Sequence, residues 1–227
     1  MHLSKTRLAL AAALVSAALA PALAQAEGGL SYNIGAVSLY KFNGIDQDNR
    51  APKNFIPALQ GGVDYDFGNG LYVGNWNSTG KFGDARVEID LYAGYKGELG
   101  NGLSYDVGFA SYLYPNSGGG WNGNEFYGSV GYGIFTARYT HGVSGWSDKR
   151  ARLSLALAQP LTDALTLNAG IAVRNNRNYD GAYDYNLGVA YDLGNDLSTT
   201  AAVSGAQTSK VGDVGKARLV VGIKKSF

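Results

Sequence analysis

Apolar and polar residues alternate at every second position over most of the chain. Between Arg86 and Lys96, one parity carries Val87, Ile89, Leu91, Ala93 and Tyr95, and the other carries Arg86, Glu88, Asp90, Tyr92, Gly94 and Lys96. Leu165 to Arg174 repeats the pattern, with Leu165, Leu167, Ala169, Ile171 and Val173 opposed by Thr166, Asn168, Gly170, Ala172 and Arg174. Ala182 to Leu193 does so again, its tyrosines, Leu187, Val189 and Leu193 alternating with Asp184, Asn186, Gly188, Ala190 and Asp192. A period of two sustained over about ten residues predicts strands with one apolar face, because a helical stripe would not leave every second position polar. Strands from Leu103, Ala151 and Lys216 follow the same rule, and those near Ser31, Leu71 and Leu197 follow it less cleanly.

Short turns punctuate the strands at a nearly constant pitch. Gly68-Asn69-Gly70, Gly100-Asn101-Gly102, Gly131-Tyr132-Gly133, Thr162-Asp163 and Gly194-Asn195-Asp196 mark five of them, mostly with the residues that tight turns favour. Their centres at Asn69, Asn101, Tyr132, Asp163 and Asn195 are 31 or 32 residues apart, and one more step reaches Phe227. Each interval holds two strands and one longer loop. The loops are expected near Asn43–Asn54, Thr79–Ala85, Pro115–Gly123, Gly142–Arg150, Asn175–Gly181 and Gln207–Gly215. Six hairpins predict an all-β fold of about twelve strands, far more strand than an ordinary globular domain holds. A transmembrane antiparallel up-and-down β-barrel reconciles these features: strands of about 9–11 residues, even in number, short periplasmic turns and longer extracellular loops. A secreted β-sandwich or soluble barrel shares the alternation without accounting for the asymmetry of the loops.

The ends of the apolar face strengthen the barrel reading. Tyr65, Phe67, Tyr95, Tyr105, Tyr132 and Tyr191 cluster toward the short-turn side, and Ile89, Leu91, Leu155, Ala169 and Leu187 lie mid-strand. That is an aromatic girdle beside an aliphatic band. In the last strand Ala217, Leu219, Val221, Ile223 and Phe227 share a parity, and the terminal Phe227 resembles the signature by which outer-membrane barrels engage their assembly machinery.

Composition adds a compartment. Lys5 and Arg7 precede an apolar run from Leu8 to Ala20, followed by Pro21 and the small-residue site Ala24-Gln25-Ala26, which predicts a cleaved export signal over 1–26 and a barrel domain over 27–227. The run is short for an uncleaved span of about 20 residues. Loss of Lys5 and Arg7 takes the net charge of +1 to −1, which gives no reason to expect a nucleic-acid partner. With no Cys, an exported chain gains its stability from burial and strand closure rather than from bridges.

Several stretches resemble the TorF-type porin family of proteobacteria. They are Pro57 to Tyr65, Gly70 to Ser78 and Glu88 to Tyr95, extended by Ser38-Leu39-Tyr40, Phe42 to Ile45, Tyr105 to Gly108 and Tyr112 to Pro115. The resemblance covers roughly residues 30–130, with Asn43 standing where an arginine is expected before Gly44. It implies an outer-membrane barrel, surrounded by lipid, that passes small hydrophilic solutes or ions.

Other chemistry finds little support. His141 is followed by Ser144 and Asp148, but the first two fall on opposite parities, as a hydrolase site at the outer rim would not allow. No metal site or cofactor is expected: zinc lacks ligands, and Asp46-Gln47-Asp48-Asn49 lacks the Gly and Glu of a calcium loop. Gly118-Gly119-Gly120 has no following Lys-Ser/Thr and reads as a loop, not a phosphate cradle. Trp76 is expected to pack inside the barrel rather than stack a sugar.

The informative groups lie on the polar parity. The acids are Asp64, Asp66, Glu88, Asp90, Asp106, Glu125, Asp184 and Asp192, and the bases Arg86, Lys96, Arg138, Arg152, Arg174, Lys216, Arg218 and Lys224. Such charges inside a barrel require water or partners. Two lumens satisfy this, a narrow wet pore or an interior closed by ion pairs. As pore-lining candidates the sequence offers Arg86, Glu88, Asp90, Tyr92, Asp106, Tyr112, Glu125, Arg138, Arg152, Arg174, Asp184 and Arg218.

Overall fold

The computed structural model describes residues 28–48, 53–118, 120–175 and 180–227. The expected export signal, the end of the first long loop, Gly119 and part of the 175–181 loop lie outside these residues.

Twelve strands close into one antiparallel barrel. They are β1 (Gly29–Val37), β4 (Ala58–Asp66), β5 (Leu71–Phe82), β6 (Ala85–Gly100), β7 (Leu103–Leu113), β8 (Gly123–Tyr132), β9 (Phe135–Gly145), β10 (Ala151–Pro160), β11 (Leu165–Asn175), β12 (Ala182–Gly194), β13 (Leu197–Ala206) and β14 (Arg218–Ser226). Each pairs with its neighbours in sequence, and β1 closes the ring by pairing with both β4 and β14. The remaining two strands, β2 (Lys41–Phe42) and β3 (Ile45–Asp46), form a small hairpin of their own. Closure leaves no open edge, and alternation gives every wall strand an outer and an inner face.

The outer face is apolar all the way round. Leu91, Leu155, Ile171, Leu187, Val203, Leu219 and Val221 are exposed there, with Tyr65, Phe67, Tyr95, Tyr132 and Tyr191 toward the short-turn end. Phe227 stacks on Tyr32 across the seam, ring centres 5.0 Å apart. The short turns carry the backbone geometry their residues suggest: Asn195 and Asp196 have φ of 52° and 58°, the conformation of a two-residue hairpin turn.

Two expected loops are built differently. No long loop lies at Thr79–Ala85: β5 continues to Phe82 and β6 begins at Ala85, with a register shift between Thr79 and Phe82. Phe82 and Ala85 are buried against a cluster that includes Tyr40 and Tyr114, and this burial draws the chain onto the wall. Arg86, just beyond the shift, is exposed. The start of the first long loop, expected outside, folds into the lumen as β2 and β3. Between β13 and β14 the chain makes one helical turn, Thr208–Val211, and a 3-10 turn, Asp213–Gly215.

Candidate permeation site

The inserted hairpin forms because Lys41-Phe42-Asn43-Gly44-Ile45-Asp46 combines two extended pairs with an Asn-Gly turn. Asn43 and Gly44 take φ of 51° and 74°, which asparagine and glycine tolerate best. Gly44 is further constrained by space, since a Cβ there would lie 2.2 Å from the backbone oxygen of Gly205. Asparagine at 43, in place of the arginine expected from the resemblance, therefore suits the turn itself.

The hairpin lies across the loop end of the lumen. On one side Tyr40 packs against Trp76 and Phe82, with ring centres 5.6 and 6.4 Å away. At the tip Phe42 meets Tyr112 and Trp146 edge-on. At the far side Arg174 donates to the carbonyl of Asn43. The base of the hairpin is held by one carboxylate: Asp46 accepts Lys41 Nζ at 2.6 Å on one oxygen and Arg218 Nε at 3.1 Å on the other. Lys41 also donates to the carbonyls of Lys216 and Val214. Burial pushes the Lys41 ammonium below the ordinary lysine range, and the contact with Asp46 opposes that shift.

Around this plug the wall carries two kinds of surface. On β4 to β8, tyrosines lie over glycines of adjacent strands: Tyr72 is the register partner of Gly94, Tyr92 of Gly74 and Tyr127 of Gly108. Their hydroxyls tie down carboxylates, Tyr72 donating to Asp106 at 2.6 Å and Tyr92 to Asp64 at 2.5 Å. Nearer the plug, Tyr112 donates to Glu125 and Tyr114 to Glu88, each at 2.6 Å. Asp90 is buried beside these acids. On β10 to β13 the inner face carries small or neutral groups, including Ser154, Asn168, Ala172, Ala190, Thr200 and Ala202.

Two arginines interrupt that neutral side, and a third borders it on β9. Arg152 and Arg174 are register partners on β10 and β11, an opposition that like charges disfavour. Asp184 on β12 relieves it, accepting Arg152 through two bonds of 3.0 and 2.7 Å and Arg174 through one of 2.6 Å. Arg138 on β9 sits 4.1 Å above the Tyr127 ring and 3.9 Å from Asp106. One gap between hairpin and wall is lined by Phe42, Asn43, Tyr112, Glu125, Arg138, Thr140 and Arg152, with a cavity volume of about 10 Å³. That is room for roughly one water molecule.

The candidates read from the sequence divide accordingly. Glu88, Asp90, Tyr92, Tyr112, Glu125, Arg152, Arg174 and Asp184 are buried inside, and Asp106, Arg138 and Arg218 are partly buried there. Arg86 is exposed, as are Asp192 and Lys216, which the parity also placed inside. Tyr40, Lys41, Phe42, Asp46, Trp146 and Arg150 are not among those candidates because they lie between barrel strands. The Asn-Gly pair flanked by short alternating runs was the signal for the first four. His141 contacts Tyr139 at 3.2 Å, whereas Ser144 accepts from Asn124, so no hydrogen bond joins His141 to Ser144. Among the described residues no group of three or more potential ligands could hold a metal ion.

The sequence matches, over residues 22–227, the family described as "Bacterial protein of unknown function (Gcw_chp)". The chain belongs to this family. No match is found among curated protein sequences. Among solved structures, the Gcw_chp chain is similar to the KdgM porin in complex with disordered oligogalacturonate, with a TM-score of 0.61 at 12% identity over 87% of this chain and 98% of that one. The KdgM porin without that ligand gives a TM-score of 0.59, also at 12% identity, covering 87% and 98%. A NanC porin gives 0.55 at 12% identity, covering 86% and 98%. At such identities the likeness concerns the fold: a closed twelve-stranded barrel.

Proposed function

We propose that this Gcw_chp protein is an outer-membrane channel for passive diffusion of small hydrophilic solutes or ions, not an enzyme. The observation that carries the reading is the inversion of polarity across one closed wall, with Leu91 and Leu187 exposed outside and Glu88, Asp90, Arg152 and Asp184 inside. A soluble barrel has no use for an apolar exterior. The similarity in fold to solved porins supports the reading. In this arrangement the signal segment 1–26 is removed, the barrel 27–227 is surrounded by lipid, both termini are periplasmic and the strand ending at Phe227 serves recognition by the assembly machinery.

The hairpin plug favours a second reading, a non-conducting structural or surface-binding barrel. Planar bilayer recording on purified protein separates the two. Stepwise conductance from the wild type, or from a variant in which Phe42–Ile45 is replaced by two glycines, supports the channel. Silence of both variants, each shown to be folded by heat-modifiable gel mobility, overturns it.

A further inference from the structure

One buried cation near the plug lacks the partners its environment calls for. Arg150, in the connection between β9 and β10, is 8% exposed, yet its side chain makes no hydrogen bond or ion pair among the described residues. It is held between rings, its guanidinium carbon 4.8 Å from the centre of Trp146 and 5.8 Å from that of Phe42. Such contacts offset part of the desolvation cost but satisfy none of the five N–H donors. Arg152 and Arg174 stand close enough to repel it, and burial with this repulsion pushes its pKa down to about 10.

The nearby acceptors are already committed. Asp184 is shared by Arg152 and Arg174, and Glu125, the acid that attracts Arg150 from a distance, accepts the Tyr112 hydroxyl. Of these three guanidinium groups, Arg150 is the one that shares no carboxylate among the described residues. Arg174 also donates to a neutral acceptor, the Asn43 carbonyl at the plug tip. An ionised acceptor would bind more strongly there.

We infer that Arg150, Arg152 and Arg174 form a binding site for a small monocarboxylate, which the plug tip occupies in its absence and which such a solute opens by displacing that tip. This rests on the channel reading. The planar fork of each arginine suits a carboxylate, and a single negative charge gives Arg150 the ionic partner it lacks. The tip contributes only a ring face and a carbonyl at this point, whereas the hairpin's base is fastened separately by Asp46 to Lys41 and Arg218. The tip therefore leaves its seat without dismantling the base. The gap beside it holds about one water, so the solute enters only as Phe42 and Asn43 withdraw, and binding is coupled to widening.

The test records open probability in planar bilayers at fixed sodium chloride, with sodium gluconate or an equal osmolality of sorbitol added at the loop side. Gluconate is expected to raise the open probability of the wild type and sorbitol to leave it unchanged. Arg150→Gln, checked for folding by heat-modifiable mobility, is expected to need at least about tenfold more gluconate, the loss of a charge-assisted pair. Arg150→Lys, which keeps the charge without the fork, is expected to fall between them. The variant with Phe42–Ile45 replaced by two glycines is expected to stay open without gluconate. Equal responses to gluconate and sorbitol, or an unchanged gluconate requirement in Arg150→Gln, overturn the inference while a conducting shortened variant upholds the channel. An Arg150→Gln channel already open without gluconate makes Arg150 a latch rather than a receptor and overturns it too. A silent shortened variant beside a conducting wild type overturns the inference alone, and silence of both overturns the channel reading with it.

Discussion

The ring of Tyr92 lies so close over Gly74 on the adjoining strand that a Cβ at position 74 would sit 2.3 Å from its Cε2. The missing side chain is thus the seat of the tyrosine, whose hydroxyl reaches Asp64. Gly74→Ala is expected to destabilise the barrel by about 1–3 kcal/mol, the usual cost of overpacking. Tyr92→Ala removes the obstruction, so the double variant is expected to show a smaller penalty at position 74 than the single one. Urea unfolding in detergent, followed by gel mobility, measures the cycle, and additivity would show that the two positions do not communicate.

The latch at the base of the plug is asymmetric. Asp46 holds two cations, whereas Lys41 has Asp46 and two carbonyls. Asp46→Asn removes the only carboxylate paired with either Lys41 or Arg218 among the described residues, and Lys41→Met leaves the Asp46–Arg218 pair in place. Limited proteolysis within the β1–β4 loop is expected to accelerate several-fold in Asp46→Asn and little in Lys41→Met, since an uncompensated buried charge is the costlier outcome. Equal rates would show that Arg218 does not contribute to seating the hairpin.

Parity on β12 predicts a sharp contrast between neighbours. Leu187 is 56% exposed on the outer face, and Asn186 beside it points inward toward Gly170. Leu187→Arg is expected to cost about 2–4 kcal/mol of insertion stability at the bilayer midplane. Asn186→Ser is expected to be mild. Yield of heat-modifiable barrel in isolated outer membranes compares them, and tolerance of Leu187→Arg would place that face away from lipid.

Orientation is open to direct labelling. Ser209 lies exposed on the helical turn between β13 and β14, and Asn101 lies exposed in a short turn at the opposite end. Cysteine at 209 is expected to react with a membrane-impermeant maleimide on intact cells, and cysteine at 101 only after the envelope is opened. The reverse pattern would invert the barrel.

Much of the wall was legible because its information is local. A period of two records which side of a strand meets water, and the turn residues record where strands end, so the positions of Glu88, Asp90, Leu91 and Leu187 follow from their neighbours in sequence. The interior beyond the wall was not legible. Asp184 serves Arg152 and Arg174 only because three strands adopt a particular register, which no single strand encodes. Asn43 to Asp46 reads as loop because two-residue strands are too short to show a period. Arg150, in a connection, gives no sign in the sequence that Phe42 covers it.

The seat of the hairpin draws on strands that are remote in the chain. Asn43 meets Arg174 across 131 residues, and Asp46 meets Arg218 across 172. Neither contact exists in any run of consecutive hairpins; both require the ring to have come round to its starting edge. The obstruction is therefore a late product of assembly, slow in the way that contacts of long sequence separation are slow. A barrel halted before β14 docks holds its plug loose, and a seated plug certifies that the last strand has found the first.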